Sequence, residues 1–373
     1  MSRNSAIPRS SRLAPLRQLE PFSRVRSTAV AVRSAKAKCD VLSGVMRVDI
    51  AVAGAGPSGA TIARLLALKG WQVALIDPPG KRLDRLEVLA PSSMAIVDAL
   101  SLGDVLKEPM IARPCLGIRR RWLSAEVEFD DFIRRPPGRG FVVDRRPFDD
   151  RLRSLALAAG TEFVIGRVTG IRREGDVFLL DVAGNAQASL SASVVVDATG
   201  RTAALARRLG AQRIIKERLV AQRRPIDHSS PTDGEPVWLD VEADDTSWNY
   251  ATHGPDGRHE SWTICREGSQ PINGVPADIA NASSTCLAHH AGPGWIAIGD
   301  AAAAFDPIAS QGLFNALSAA VVAAGIITEH EGGITRDVAL EYSAAMMSTF
   351  LHSERGRGQV YAARNLVPSN GGA

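Results

Sequence analysis

Three glycines, at positions 54, 56 and 59 of the run Val48-Asp-Ile-Ala-Val-Ala-Gly-Ala-Gly-Pro-Ser-Gly59, have the spacing of a phosphate-binding turn. Gly54 permits a tight turn, Gly56 lets the main chain approach a pyrophosphate, and Gly59 lets a helix pack closely on a strand. The N-terminus of that helix offers free N–H groups and a partial positive charge to the phosphates. Asp77, 18 residues past Gly59, closes a second apolar run and is placed to accept hydrogen bonds from ribose hydroxyls. Two more stations lie far downstream. Asp197-Ala-Thr-Gly200 follows Val194-Val195-Val196, and Gly299-Asp300 follows Trp295-Ile296-Ala297-Ile298. Asp300 has no obvious cation near it in the sequence. Small residues, Asp306-Pro307 and Gly312 come after it.

These residues need elements to hold them. Val48 to Ala53 is rich in small and β-branched residues, as a buried parallel strand should be. Ala60 to Leu68 has helix-forming composition, Gly70 ends it, and Trp71 to Ile76 reads as a second strand. A glycine triplet in this strand–turn–helix–strand setting is a dinucleotide site, of a kind used by both NAD and FAD. Leu313 to Ile327, rich in Ala, Val and Leu, reads as a helix started by Pro307 to Gly312. Val237 to Val241, Trp248 to Thr252 and Glu260 to Ile264 read as strands, with a turn at 254–257, and 268–284 as loop.

The three stations, with Gly140-Phe-Val-Val-Asp144-Arg145-x-x-Phe148-Asp149-x-x-Leu152, resemble the flavoprotein monooxygenase superfamily. The branch is the one that holds flavin-dependent halogenases and geranylgeranyl reductases. The resemblance runs from 48 to about 205 and again from about 286 to 361. It implies an α/β, glutathione-reductase-like fold: a Rossmann-type FAD-binding domain with a smaller, shortened β-sheet substrate domain. The implied FAD-binding parts are 48–115, 141–205 and 286–373, the last including C-terminal helices. The implied substrate parts are 116–140 and 206–285.

Residue by residue, the resemblance assigns Gly54, Gly56, Gly59 and Asp77 to the ADP half of FAD and places Arg145 near the cofactor. Asp197 and Gly200 form the second strand-end contact, and Gly299 and Asp300 hold the ribityl chain and pyrophosphate region. Pro307, Gln311 and Gly312 start a helix aimed at the flavin N1/C2=O edge, where a reduced flavin is negative and a helix N-terminus stabilises it. The catalytic candidates are Glu87, in Leu86-Glu-Val-Leu-Ala-Pro91, and Gln311. The first segment resembles the family's GE-x-L-x-P, with Leu86 in place of its glycine.

The implied activity is that of an FAD-dependent oxidoreductase, first of all a monooxygenase that hydroxylates a small-molecule or peptide substrate through a flavin C4a-hydroperoxide. With one dinucleotide fingerprint, NAD(P)H would dock transiently as reductant, or a reductase partner would deliver electrons. The alternatives are a reductase of the geranylgeranyl type, a flavoprotein modifying tryptophan in a partner protein (Ser310-Gln311-Gly312 resembles that subgroup), and a degenerate FAD-binding protein. Halogenation is disfavoured, because no lysine occurs between Lys107 and Lys216.

Composition narrows the remaining classes. A net charge of +4 and a pI of about 9.0 conceal a basic tail. Residues 1–47 carry ten Lys/Arg against Glu20 and Asp40, which leaves 48–373 at −4 and argues against nucleic-acid binding. That tail reads as a disordered or targeting segment, or as an extension ahead of a start at Met46. Scattered cysteines suggest a reducing compartment, the cytoplasm, and Cys286, His289 and His290 are too few for a metal site. No apolar run is expected to reach the ~20 residues of a membrane span. GxSxG, HExxH and P-loop patterns are absent from the sequence.

Overall fold

The computed structural model describes residues 39–40, 45–80, 84–184, 188–224, 236–269 and 278–363. The tail up to residue 38 lies outside them. The first long strand is Val45–Ala53, and its last four positions are buried. It begins at Val45 rather than Val48, because Val45 and Met46 pair with Cys39–Asp40 on one side and with Ser189 and Leu190 on the other.

Val45–Ala53 pairs in parallel with Val73–Asp77 on one side and with Ala188–Asp197 on the other. Glu162–Glu174 extends the parallel set beyond Val73–Asp77, and Trp295–Ala297 extends it beyond Ala188–Asp197. Val177–Gly184 is antiparallel to both Glu162–Glu174 and Ala188–Asp197. The registers matter most. Ala53 stands beside Ile76 and Asp197, and Asp197 beside Ala297. The turns after these strands therefore leave from one edge of the sheet, the carboxyl edge where open α/β sheets bind ligands.

The first helix, Pro57–Leu68, starts a turn earlier than its composition suggests, because Pro57 stands at its first position with a pre-set φ. Its Ile62, Ala63 and Leu66 share a core with Ile50, Val52 and Val196 of the sheet and with Ala320, Ala323 and Ile327 of the helix Gly312–Glu329. Each such large aliphatic side chain contributes roughly 1.5–3 kcal/mol by leaving water. Gly312–Glu329 has 18 residues and is apolar enough to cross a bilayer by length and composition, more than the sequence reading allowed. Here Leu313, Leu317, Ala320, Ala323 and Ile327 are buried in the protein core.

The second sheet has nine strands among the described residues. Its order is Asp278–Asn281, Leu219–Arg223, His259–Arg266, Trp248–His253, Val237–Ala243, Ala112–Arg121, Gly140–Asp144 and Leu86–Leu89, with Glu128–Asp131 on Ala112–Arg121. The three strands expected between 237 and 264 are present and slightly longer. Of the expected loop at 268–284, residues 270–277 lie outside the described set, and Asp278–Asn281 is a strand held by Leu219–Arg223. Leu86–Leu89, Ala112–Arg121 and Gly140–Asp144 lie wholly or partly in segments assigned to the FAD-binding part, so the chain crosses between sheets more often than the motif spacing suggests.

Candidate functional site

A cavity of about 870 Å³ runs from the glycine turn to the second sheet. Gly54, Gly56, Asp77, Glu87, Arg145, Gly200, Asp300, Pro307, Gln311 and Gly312 all line it. The expected stations, far apart in sequence, meet there because their strands are neighbours in register.

The glycines divide their work as their spacing suggests. Gly54 has φ +99°, and a Cβ there would lie 2.2 Å from the Ala198 carbonyl oxygen. A Cβ on Gly59 would lie 1.8 Å from the Gly54 oxygen, so helix and turn touch through bare main chain. At Gly56 nothing lies within 4 Å of an added Cβ. That opening, at the start of a helix and on the cavity wall, fits the pyrophosphate of FAD. Asp77 accepts from the Ala55 amide at 3.0 Å, which aims its half-buried carboxylate at the same turn.

Asp197 does other work. Its Oδ1 accepts from the Thr199 amide and hydroxyl at 2.9 and 2.6 Å, and its Oδ2 from the amides of Leu205 and Ala206, each at 2.8 Å. Buried and off the cavity wall, it satisfies the first amides of the helix Ala204–Arg208 rather than touching a cofactor. This corrects its assignment as a contact; Gly200 keeps its place on the wall. Gly299 is likewise off the wall, and a Cβ there would lie 2.7 Å from Ser58 Oγ. It brings the Gly-Asp turn close to the first helix.

Asp300 is half-exposed on the wall, and Arg201 Nε stands 3.6 Å from its Oδ2. The expectation of an aspartate without a cation is therefore corrected. Arg201 also donates to the carbonyls of Ser283, at 2.5 Å, and Phe305, at 3.2 Å. It follows directly on Asp197-Ala-Thr-Gly200, and parallel pairing of the two strands carries it to Asp300.

Arg145 anchors a buried ion cluster. It donates to Asp149 Oδ1 and Oδ2 at 2.9 and 3.0 Å, a bidentate pair within one helix, and its third arm meets Glu87. Arg85 Nε donates to Glu87 Oε1 at 2.8 Å. The helix Arg145–Ala158 is capped by Asp144, which accepts from the Arg146 amide at 3.0 Å, and buries Phe148 and Leu152. The polar and apolar positions of that motif thus act as cap, ion pair and core.

Burial works to raise the Glu87 pKa, but the guanidiniums of Arg145 and Arg85 outweigh it and hold the carboxyl down to about 2. Glu87 is therefore an anion at neutral pH and no proton donor. A group whose folded pKa is depressed adds stability that is present above its ordinary value of 4.5 and lost as pH falls to about 2. The gap in melting temperature between wild type and Glu87→Gln should close across that window. A gap constant from pH 5 to pH 2 would contradict the pairing.

Gln311 and Gly312 are exposed on the wall, and the first amides of Gly312–Glu329 have no helical partner. A Cβ on Gly312 would lie 3.3 Å from Glu87 Oε2. The positive end of this helix, the fixed anion and Arg145 thus meet at one point. Just upstream, Asp306 accepts from the Ile308 amide and the Tyr361 hydroxyl, each at 2.9 Å. Tyr361 in turn accepts from Trp248 Nε1 at 2.8 Å. Burial pushes the Asp306 carboxyl up to about 6. Ile118, Trp122, Leu239, Val241 and Trp248 make the cavity apolar on the side of the second sheet.

A family model described as lycopene cyclase protein matches residues 49–231. The chain is similar to menaquinone reductase of Mycolicibacterium smegmatis, with 26% identity over 365 residues, covering 85% of this chain and 83% of that protein. Among solved structures, the flavin-dependent halogenase CmlS shares the fold with a TM-score of 0.72 at 19% identity, over 87% of this chain and 66% of that one. The peptidyl tryptophan dihydroxylase QhpG shares it with a TM-score of 0.68 at 22% identity, over 85% of this chain and 76% of that one. The match to the family model and the similarity to the reductase support an FAD-dependent oxidoreductase, and the solved structures show its fold.

Proposed function

We propose that this enzyme uses reduced FAD to saturate a carbon–carbon double bond of an apolar substrate held between the cofactor and the second sheet. The observation that carries the reading is a cavity continuous from the glycine turn to an apolar wall of Ile118, Trp122, Leu239, Val241 and Trp248. FAD, when bound, would supply a hydride equivalent, NAD(P)H or a reductase partner would restore it, and solvent at the cavity mouth would supply the proton that completes the saturated bond. The residues hold and shield. Asp77 and the Gly54–Gly59 turn take the ADP half, Asp300 the ribityl hydroxyls, and the helix start at Gly312 the negative edge of the ring system. The aromatic and aliphatic wall excludes water from the reacting carbons. The menaquinone reductase similarity over most of both chains supports reduction. The fold shared with a peptidyl tryptophan dihydroxylase supports the second reading, in which the same reduced cofactor and O₂ hydroxylate the substrate.

Oxygen decides between them. Protein loaded with FAD and reduced without air should be reoxidised by a polyprenyl substrate under nitrogen, with one double bond lost from the product. Reoxidation that needs O₂ and leaves oxygen in the product would establish the hydroxylase instead. A chain that cannot be loaded with FAD would overturn both. Asp300→Ala removes a charged hydrogen-bond acceptor of about 1.5–3 kcal/mol, so FAD should bind roughly 10–100-fold more weakly. Unchanged flavin content after dialysis would refute its assignment to the ribityl chain.

A further inference from the structure

The chain has three tyrosines. Two are fully engaged. The Tyr342 hydroxyl donates to the Ala297 carbonyl at 2.9 Å, and Tyr361 donates to Asp306 and accepts from Trp248. Tyr250 differs: it lines the cavity, and among the described residues no protein group bonds to its hydroxyl.

Its surroundings give that free hydroxyl a meaning. Alternation along Trp248–His253 turns Trp248, Tyr250 and Thr252 to the same side, and all three line the cavity. Several polar groups beside it on this wall have protein partners. Trp248 Nε1 donates to Tyr361, Trp122 Nε1 to the Val360 carbonyl at 3.2 Å, and Thr252 Oγ1 to the Trp238 carbonyl at 3.0 Å. Arg120 pairs with Asp130 at 3.2 Å. Burial holds the Tyr250 phenol well above its ordinary pKa, so it keeps its proton. The Trp248 ring lies 5.8 Å from the Tyr250 ring, which leaves a hydrogen-bond donor at the edge of an aromatic surface. The half-buried Tyr250 turns this hydroxyl to the cavity rather than to protein, where a ligand oxygen can take the hydrogen bond.

We infer that Tyr250 is the substrate-recognition hydroxyl of this cavity, and that the substrate is an apolar, ring-bearing molecule whose carbonyl-type oxygen accepts its hydrogen bond. This rests on reading the cavity as the joint cofactor and substrate site. It narrows the substrate class from apolar molecules at large to oxygen-bearing ones, whichever of reduction or hydroxylation follows.

The test uses binding alone, so it stands apart from turnover. Oxidised, FAD-loaded protein is titrated with 1-tetralone and with tetralin, which share a bicyclic frame and differ by one carbonyl oxygen. Quenching of tryptophan fluorescence gives each Kd. Wild type should bind the ketone about 10-fold more tightly than the hydrocarbon, and Tyr250→Phe should bind the ketone no more tightly than the hydrocarbon, with unchanged flavin content. A wild type without that preference, or a Tyr250→Phe variant that retains it, overturns the inference. Should FAD fail to load, the cofactor reading falls at that step. The same titration on apoprotein still decides the role of Tyr250.

Discussion

Gly59→Ala is expected to give a protein that purifies without flavin and melts far below wild type. The added methyl would sit 1.8 Å from the Gly54 carbonyl oxygen and 3.0 Å from the Ala198 side chain. No rotamer relieves a clash made by Cβ with main chain, so the first helix must back away from the turn. Overpacking of this kind costs about 1–3 kcal/mol. Losing a ligand present at a hundred times its Kd removes about 2.7 kcal/mol more. Gly56→Ala is the informative contrast. Nothing lies within 4 Å of a Cβ at that position and its φ of −72° suits any residue, so the apoprotein should melt like wild type. Its flavin occupancy should nevertheless collapse, because the methyl fills the space through which a pyrophosphate approaches. Flavin absorbance after gel filtration and melting of the apoproteins check both. Equal FAD content in Gly56→Ala and wild type would count against the pyrophosphate assignment.

The second large effect is Arg145→Ala, which leaves Asp149 and Glu87 without the cation that holds them together. Breaking a buried pair from one side costs about 3–5 kcal/mol, which lowers the melting temperature by on the order of 10 °C. Arg145→Lys should rescue little, since an ammonium cannot make the bidentate contact with Asp149. Much of the loss should return in Arg145→Met combined with Glu87→Gln and Asp149→Asn, which removes the uncompensated charges. Thermal melts of the four proteins decide the matter. A single variant as stable as wild type would show the cluster to be dispensable.

The sequence reveals the frame of this protein more readily than the wiring of its site. The Gly54–Gly59 turn is legible because three residues in one strand–turn–helix unit state their geometry locally. The helix Gly312–Glu329 and the strands between 237 and 264 are legible for the same reason, through composition and alternation. Asp197 misleads, since a carboxylate at a strand end serves a cofactor and a helix N-terminus equally well in sequence. Only the arrival of the Leu205 and Ala206 amides at its Oδ2 decides for the latter. The Arg201–Asp300 contact is invisible for a different reason. The two residues are far apart along the chain and become neighbours only through the register of Asp197 beside Ala297. Glu87 is legible as a catalytic candidate, but its ion partner is not until Gly140–Asp144 pairs with Leu86–Leu89 and delivers Arg145 to it. Tyr250 was missed although its strand was expected, because alternation names two faces without saying which one meets the cavity.

The hydrogen-bonded line from Trp248 through Tyr361 to Asp306 sets limits on how this pocket can evolve. Ile118, Leu239 and Val241 line the cavity and have apolar side chains, so their sizes can drift and reshape the pocket at modest cost. Trp248 has no such freedom. Its indole N–H holds Tyr361, Tyr361 holds Asp306, and Asp306 caps the turn Pro307–Ala309 that leads into the helix at Gly312. Substitution at Trp248 would reach the helix start at Gly312 as well as the apolar wall. Changes of substrate in descendants of this protein should therefore accumulate at the aliphatic positions while the tryptophan stays fixed.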